Sequence, residues 1–146
     1  MKYLISFLFF IHLNAFSAGD YETVDASAEY QKAEKLINNQ KFEIAIDVLL
    51  DLIDEDPEGY TKADLYNYLG FASRKQSKPD YKLAENYYLK ALEIDNNHIG
   101  ALEYLGELYI QTNRVDEAKD LLARIKMYAG EDSEEFIELN KLITSF

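Results

Sequence analysis

An all-α chain of antiparallel helix pairs stacked as a solenoid is the fold that three features of the sequence predict. Gly70 and Gly106 lie 36 residues apart and Ala84 and Ala118 lie 34 apart, the period of a two-helix repeat unit. Apolar residues recur at three- and four-residue spacing, as in Ile44, Val48, Leu49 and Leu52, which puts one apolar stripe on a helix. The alternation of a half-buried strand is absent. With 48% apolar and 14% aromatic residues the chain carries enough apolar side chain for a core, and its 146 residues suit a single domain after the first 18.

Those first 18 residues read as a cleavable secretory signal peptide. Lys2 precedes an apolar run from Tyr3 to Leu13, interrupted by Ser6 and His12, and Ala15, Ser17 and Ala18 supply small residues for cleavage after Ser17 or Ala18. From Leu4 to Ala18 the run is shorter than the ~20 residues a spanning helix needs. Periplasmic or secreted localisation is therefore expected, with no stable membrane insertion after cleavage; an uncleaved amino-terminal anchor is the alternative. The chain has no cysteine, which excludes a lipoprotein anchor, and no Arg-Arg pair marks a folded-export signal.

Residues 19–146 then form one repeat domain. The first pair, about 26–59, places Ala33, Leu36, Ala45, Leu49 and Leu52 in packed slots and closes on Pro57, with Asn38-Asn39 expected to end its first helix in the left-handed conformation. The second, about 63–97, runs from Asp64 to Gly70 and then through Ala84, Tyr88 and Ala91, with Pro79 suited to a first helical position. The third, about 99–132, has Leu102, Leu105, Gly106 and Tyr109 followed by Ala118, Leu122 and Ile125, punctuated by Asn113 and Gly130. A capping helix over 133–145 carries Phe136, Leu139 and Ile143; Asp132 or Ser133 caps it, and Glu134 and Glu135 suit the positive end of its dipole. Glycine inside a helix costs about 1 kcal/mol against alanine, so Gly70 and Gly106 imply a close approach by a neighbouring helix. At Ala45, Ala84 and Ala118 a larger residue would overpack by roughly 1–3 kcal/mol.

This arrangement, in which Leu69-Gly70 is followed by Ala84, Tyr88 and Ala91 and the next copy has Leu105-Gly106 and Tyr109 followed by Ala118, Leu122 and Ile125, resembles the tetratricopeptide repeat. The resemblance covers nearly all the chain after residue 25 and implies a right-handed α-solenoid of about three units plus a capping helix. The stretch from Asn97 onward is also similar to small exported repeat proteins of proteobacteria. Departures are local: the first copy lacks its aromatic, two extra residues separate Gly70 from Ala84, three follow Pro57, and Asn96 and Gly130 stand where later prolines are expected.

Composition and motif searches exclude more than they select. The net charge is −12, and loss of Lys2, the one charged residue of the signal segment, takes it to −13, a field that repels nucleic acid and anionic lipid. Without cysteine there is no thiol chemistry or thiolate metal site. His98 is the only histidine after residue 18 and reads as an exposed residue at a helix start, since a zinc or general-base site needs a second imidazole or an oriented carboxylate. Asp51, Asp54, Glu55 and Asp56 lack the ligand alternation of a calcium loop and read as a solvated helix end. No phosphate loop, dinucleotide glycine pattern or activated serine is present. No catalytic residue, cofactor or metal is expected, and the chain does not read as an enzyme.

What remains is surface. In the family that the chain resembles, the first helix of each pair lines a concave face that grips a peptide or partner helix. Helical spacing from the packed slots places Tyr30, Glu34, Asn67, Phe71, Arg74, Glu103, Glu107 and Ile110 on that face, with Phe71 as the apolar anchor and Tyr30 and Asn67 as hydrogen-bond donors. The family's best-known groove uses basic residues and asparagines on a terminal carboxylate. Glutamates occupy comparable places here, so the expected partner is a protein or peptide segment with Lys or Arg beside an apolar residue. Arg74, Lys75, Lys78 and Lys82 form a basic island on the turn with the two-residue insertion, read as solvated, and Tyr66, Tyr88 and Tyr109 fall in packed slots rather than in a stacking row. The expected role is a non-enzymatic binding scaffold or adaptor of the cell envelope. The alternative is a structural subunit that self-associates, as a homodimer for instance, through solenoid ends.

Overall fold

The computed structural model describes residues 25–145; the signal-peptide reading of residues 1–18 lies outside them. The described residues form seven helices and no strand: α1 (Ala26–Asn38), α2 (Phe42–Asp51), α3 (Lys62–Lys75), α4 (Tyr81–Ile94), α5 (Ile99–Gln111), α6 (Val115–Tyr128) and α7 (Glu134–Thr144). Each packs on the next, while α3 also meets α5 and α5 meets α7, so the odd-numbered helices form one layer and the even-numbered ones the other. None is long and apolar enough to cross a membrane.

The small residues set this stacking. Ala33, Ala45, Ala84 and Ala118 are wholly buried. A Cβ at Gly70 would lie 2.6 Å from Cε1 of Tyr88, and one at Gly106 would lie 2.5 Å from a methyl carbon of Leu139. Equivalent glycines thus meet different neighbours. Leu122 stands one repeat after Tyr88 and is shorter, and it is Leu139, from α7, that reaches Gly106. Tyr88 and Tyr109 are buried and Tyr66 is half-buried, packed against both the amino-terminal core around Ala33, Leu49 and Leu69 and the carboxyl-terminal core around Leu105, Ile125 and Leu139. Ile44 departs from its predicted stripe and is exposed; Ala45, Val48 and Leu49 form the buried face of α2, and its C-cap Leu52 is buried with them.

The turns explain the repeat's irregularities. Between α1 and α2, and again between α5 and α6, three residues suffice, and the middle one is left-handed: Gln40 at φ 57° and Asn113 at φ 63°. Gln40 therefore takes the role predicted for Asn38-Asn39, and Asn39 is the C-cap with φ −91°. The residue after each left-handed one donates back to the helix, Lys41 N–H to Leu36 O at 2.8 Å and Arg114 N–H to Tyr109 O at 2.7 Å. The two-residue insertion lengthens the α3–α4 turn to Gln76–Asp80, where Asp80 N–H bonds Ser73 O at 3.0 Å and Ser77 N–H bonds the Glu43 carboxylate at 2.9 Å. Asp80, not Pro79, adjoins the first turn there: its carboxylate accepts from Leu83 N–H at 2.9 Å, and the proline precedes the cap. Ser133 caps α7 through Phe136 N–H at 3.2 Å.

The segment between α2 and α3 holds the three residues extra after Pro57. Lys62 donates to the carbonyls of Leu52, Ile53 and Glu55, placing a cation on the backbone just past α2 while Asp51, Asp54 and Asp56 stay solvated. Gly59, at φ 74°, then turns the chain so that Tyr60 stacks on Tyr30, ring centroids 4.3 Å apart and 4° from parallel.

Candidate functional site

Adjacent repeats are tied together along the odd-helix face by bonds that span one repeat. Tyr68 donates to the Glu34 carboxylate at 3.3 Å, the His98 ring and the Asp64 carboxylate lie 3.0 Å apart, and Arg74 donates to Glu107. The Asp64 pairing fixes the histidine's form. Nδ1 of His98 accepts Ala101 N–H at 3.1 Å, so the neutral ring carries its proton on Nε2 and gives it to Asp64. His98 is thus the N-cap of α5, as its place at a helix start suggested, but only 13% of its side chain is exposed, against the expected solvated position. Asp64 also closes a capping box with Thr61. Burial raises its carboxyl, but the bonds from Thr61 and His98 outweigh that and hold it below the usual carboxylate value.

These ties frame a cavity of about 350 Å³ on the odd-helix face. Tyr30 and Glu34 of α1, Asp64, Asn67 and Tyr68 of α3, Gly100, Glu103 and Tyr104 of α5, and Glu135 of α7 line it, with Gly59 and Tyr60 from the α2–α3 segment. Its wall is aromatic and its polar groups are mostly acceptors. Asn67 is 6% exposed and its Oδ1, like the Tyr60 hydroxyl, is buried with no partner among the described residues. Burial, then the neighbouring Glu34, pushes the Tyr68 phenol up to about 12, and burial raises Tyr30, Tyr60 and Tyr104 as well, so every tyrosine of the wall stays neutral at physiological pH.

Four of the eight sequence-predicted groove residues, Tyr30, Glu34, Asn67 and Glu103, line this cavity, and four do not. Arg74 is no groove residue and does not belong to a solvated island: its side chain is 1% exposed, its guanidinium pairs with Glu107, and it lies 5.7 Å and 5.9 Å from the ring centroids of Phe71 and Tyr104. Glu107 is taken up by that pair. Ile110 is buried in the carboxyl-terminal core. Phe71 is half-buried and engaged within the chain, its centroid 4.9 Å from that of Tyr104 and 6.1 Å edge-on from Phe42. Phe71→Ala is accordingly expected to lower stability by about 2 kcal/mol, part of what a fully buried ring is worth. Urea denaturation checks this, and an unchanged midpoint refutes the packing role.

Sequence reasoning missed Gly59, Tyr60, Asp64, Tyr68, Gly100, Tyr104 and Glu135. Asp64, Tyr68, Gly100 and Tyr104 lie one turn from the residues that were named, on the same helical face, so a wider face would have found them. For Tyr60 the signal was the insertion after Pro57.

Electrostatically the site centres on Glu103. Burial, followed by repulsion from Glu107, Glu135 and Glu134, outweighs the attraction of Arg74 and pushes its carboxyl up to about 7. The folded chain therefore holds this proton more tightly than the unfolded one. At low pH the group is neutral in both states and costs nothing; as pH rises from the ordinary 4.5 through about 7 it progressively destabilises the fold. Glu103→Gln removes the effect, and the variant is expected to match the parent near pH 4.5 and to exceed it by about 1 kcal/mol near pH 8, a value reduced for partial solvation. Thermal melts at both pH values decide the matter; a variant no more stable than the parent at the higher pH contradicts this electrostatic picture.

The family model described as "Tetratricopeptide repeat" matches residues 78–139. Among curated proteins, the uncharacterized protein ycf37 of Porphyra purpurea is 40% identical over 63 residues, 43% of this chain and 35% of its own length. The ycf37 protein of Guillardia theta is 38% identical over 66 residues, 45% of this chain and 36% of its own. The match thus spans about a third of either relative. The fold is that of the first repeat domain of Spaghetti (RPAP3) bound to an HSP90 peptide, SRMEEVD, with a TM-score of 0.69 at 22% identity, covering 82% of this chain and 94% of that one. It is also that of the Yersinia enterocolitica type III secretion chaperone SycD in complex with a peptide of the translocator YopD, with a TM-score of 0.66 at 22% identity over 82% and 86%.

Proposed function

We propose that this tetratricopeptide-repeat chain is a non-enzymatic scaffold that holds a segment of a partner protein against its odd-helix face. The observation that carries the reading is the aromatic cavity spanning α1, α3, α5 and α7, in which Asn67 and Tyr60 bury hydrogen-bonding atoms with no partner among the described residues. A buried polar atom costs about 1–3 kcal/mol unsatisfied, and an entering segment that turns the Asn67 amide toward it supplies the missing bond. That Spaghetti and SycD were solved with peptides supports the role by analogy of fold.

The chemistry of the segment differs from the acidic SRMEEVD peptide that Spaghetti holds. Glu34, Asp64, Glu103 and Glu135 line the cavity and no basic residue does, so an acidic terminus is repelled and a segment with Lys or Arg beside an apolar residue is attracted. The layout of residues 1–18 supports a scaffold that works after export, in the periplasm or outside the cell. Self-association through the solenoid ends requires apolar surface exposed on the outer face of a terminal helix such as α1. Buried Ala26, Tyr30, Ala33 and Ile37 face inward, and Glu29, Gln31, Lys32 and Lys35 face out, so that end of the solenoid is closed by a polar surface, which favours a monomer.

The test is in-cell photocrosslinking of the full chain with a photoreactive residue at Tyr68, inside the cavity, and separately at Leu89, exposed on α4. A discrete partner from position 68 and none from 89 is the expected result. The same partner from 89 alone moves the interaction to the other face and overturns the proposal.

A further inference from the structure

Resting on that reading, the cavity's own chemistry narrows what enters it. All its charged groups are carboxylates, and they come from separate elements: Glu34 from α1, Asp64 from α3, Glu103 from α5 and Glu135 from α7. Two are already engaged, Asp64 by Thr61 and His98 and Glu34 by Tyr68. Glu103 and Glu135 have no hydrogen-bond or ion-pair partner among the described residues, although each is half-buried. Independently of this charge, Asn67 Oδ1 is an unpartnered acceptor on a residue 6% exposed that lines the same space, and the hydroxyl of Tyr60, another lining residue, is buried without a partner among the described residues. The nearest cation, Arg74, is bonded away to Glu107.

An occupant must therefore be positive, carry several donors and tolerate an aromatic wall. Guanidinium is planar and best matched by the two oxygens of one carboxylate in its plane, whereas an ammonium is compact and directs three donors to acceptors that converge from different sides. Here the acceptors converge from different helices. A volume of about 350 Å³ sits at the low end of small-ligand pockets, too small for a helix and suited to one long side chain. Tyr30, Tyr60, Tyr68 and Tyr104 give such a side chain apolar surface for its methylene stem and ring faces or hydroxyls for its head. We propose that this cavity is a lysine receptor, in which the side-chain ammonium of a lysine in the bound segment meets Glu103 and Glu135, draws the Asn67 Oδ1 acceptor round to it, and lays its stem against the tyrosines. Glu103 is the group whose ionisation the cation restores, because the lysine offsets the repulsion from Glu107, Glu134 and Glu135 that Arg74 balances only in part.

Titration of the full chain, followed by amide NMR, tests this with a blocked heptapeptide holding one lysine between leucines, its Nζ-acetylated form, its arginine form, and free putrescine. The lysine peptide is expected to saturate shifts at Asn67, Glu103 and Glu135. Acetylation is expected to weaken it about tenfold or more and arginine by roughly threefold, in line with the loss or reshaping of a charge-assisted contact. Glu103→Gln, with Glu135→Gln as the second variant, is expected to weaken the lysine peptide about fivefold near pH 8 and to flatten the rise in affinity between pH 6 and 8. Equal binding of the acetylated peptide overturns the lysine receptor while leaving a peptide scaffold intact. Shifts from putrescine with none from the lysine peptide assign the site to a free amine and overturn it as well. Peptide shifts confined to the even-numbered helices overturn both this inference and the scaffold reading on which it rests.

Discussion

Gly70→Val is expected to destabilise the chain by about 3 kcal/mol, at the upper end of the cost of overpacking. A Cβ built at Gly70 lies 2.6 Å from Cε1, 2.7 Å from Cδ1 and 3.0 Å from Cζ of Tyr88. Those atoms belong to a ring that is 0% exposed, so it has nowhere to swing, and α3 and α4 must separate along the most extensive helix contact of the fold. Alanine at the same site collides too, but recovers about 1 kcal/mol of helix propensity; valine, being β-branched, recovers less and adds two methyl groups. Gly106→Ala is expected to cost less than Gly70→Ala, because the atoms it meets are the terminal methyls of Leu139 rather than a ring. Urea midpoints of the three variants establish the order. If Gly70→Val proves as stable as the parent, the glycine is not there for helix approach.

Glu107→Ala carries the second large effect, about 3 kcal/mol or more, the cost of stranding a buried charge. The Arg74 side chain is 1% exposed and Glu107 supplies its ionic partner, while Nε and Nη1 already lack an acceptor among the described residues. Guanidinium does not shed its charge, so removal of Glu107 leaves a cation among Phe71, Tyr88 and Tyr104 without its bonded counter-ion. The reverse change is milder. Arg74→Met is expected to cost about 1 kcal/mol, since the Glu107 side chain is 21% exposed and retains water, and methionine fills much of the vacated volume. Chemical denaturation of both variants at the same pH tests the asymmetry. Equal losses contradict a buried cation held by one carboxylate.

The repeat period was legible because it is written in residues with no side-chain freedom: Gly70, Gly106, Ala84 and Ala118 mark where helices touch, whatever surrounds them. Turn chemistry was less so. Gln40 takes the left-handed position beside two asparagines that favour it intrinsically, because the three-residue turn places the requirement there, and Asn113 shows the same geometry in the equivalent turn two repeats on. The groove was half legible for a different reason. The helix α3 buries Ala63, Leu65, Asn67, Leu69, Gly70, Ala72, Ser73 and Arg74, residues from nearly every direction of its circumference. A helix packed on several sides has no single apolar stripe to orient it, so Arg74 and Asn67 looked alike from sequence although one is locked in an ion pair and the other opens onto the cavity. By contrast α7 buries Leu139 alone, and Ser133, one of the two caps its sequence offers, starts it. Tyr60 reaches the site through a loop whose path depends on Gly59 and on Lys62 gathering the carbonyls of α2, and neither contact has a periodic signature.

The central claim is that the odd-helix cavity selects and holds a peptide segment, and the most direct measurement is selection from a random peptide library on the full chain followed by amide NMR of the best binder. Enrichment of lysine or arginine beside an apolar residue is predicted, with perturbed amides at Glu34, Asn67, Tyr68, Glu103 and Tyr104. Enrichment of acidic sequences, or shifts confined to the exposed face of α2, α4 and α6, contradicts it.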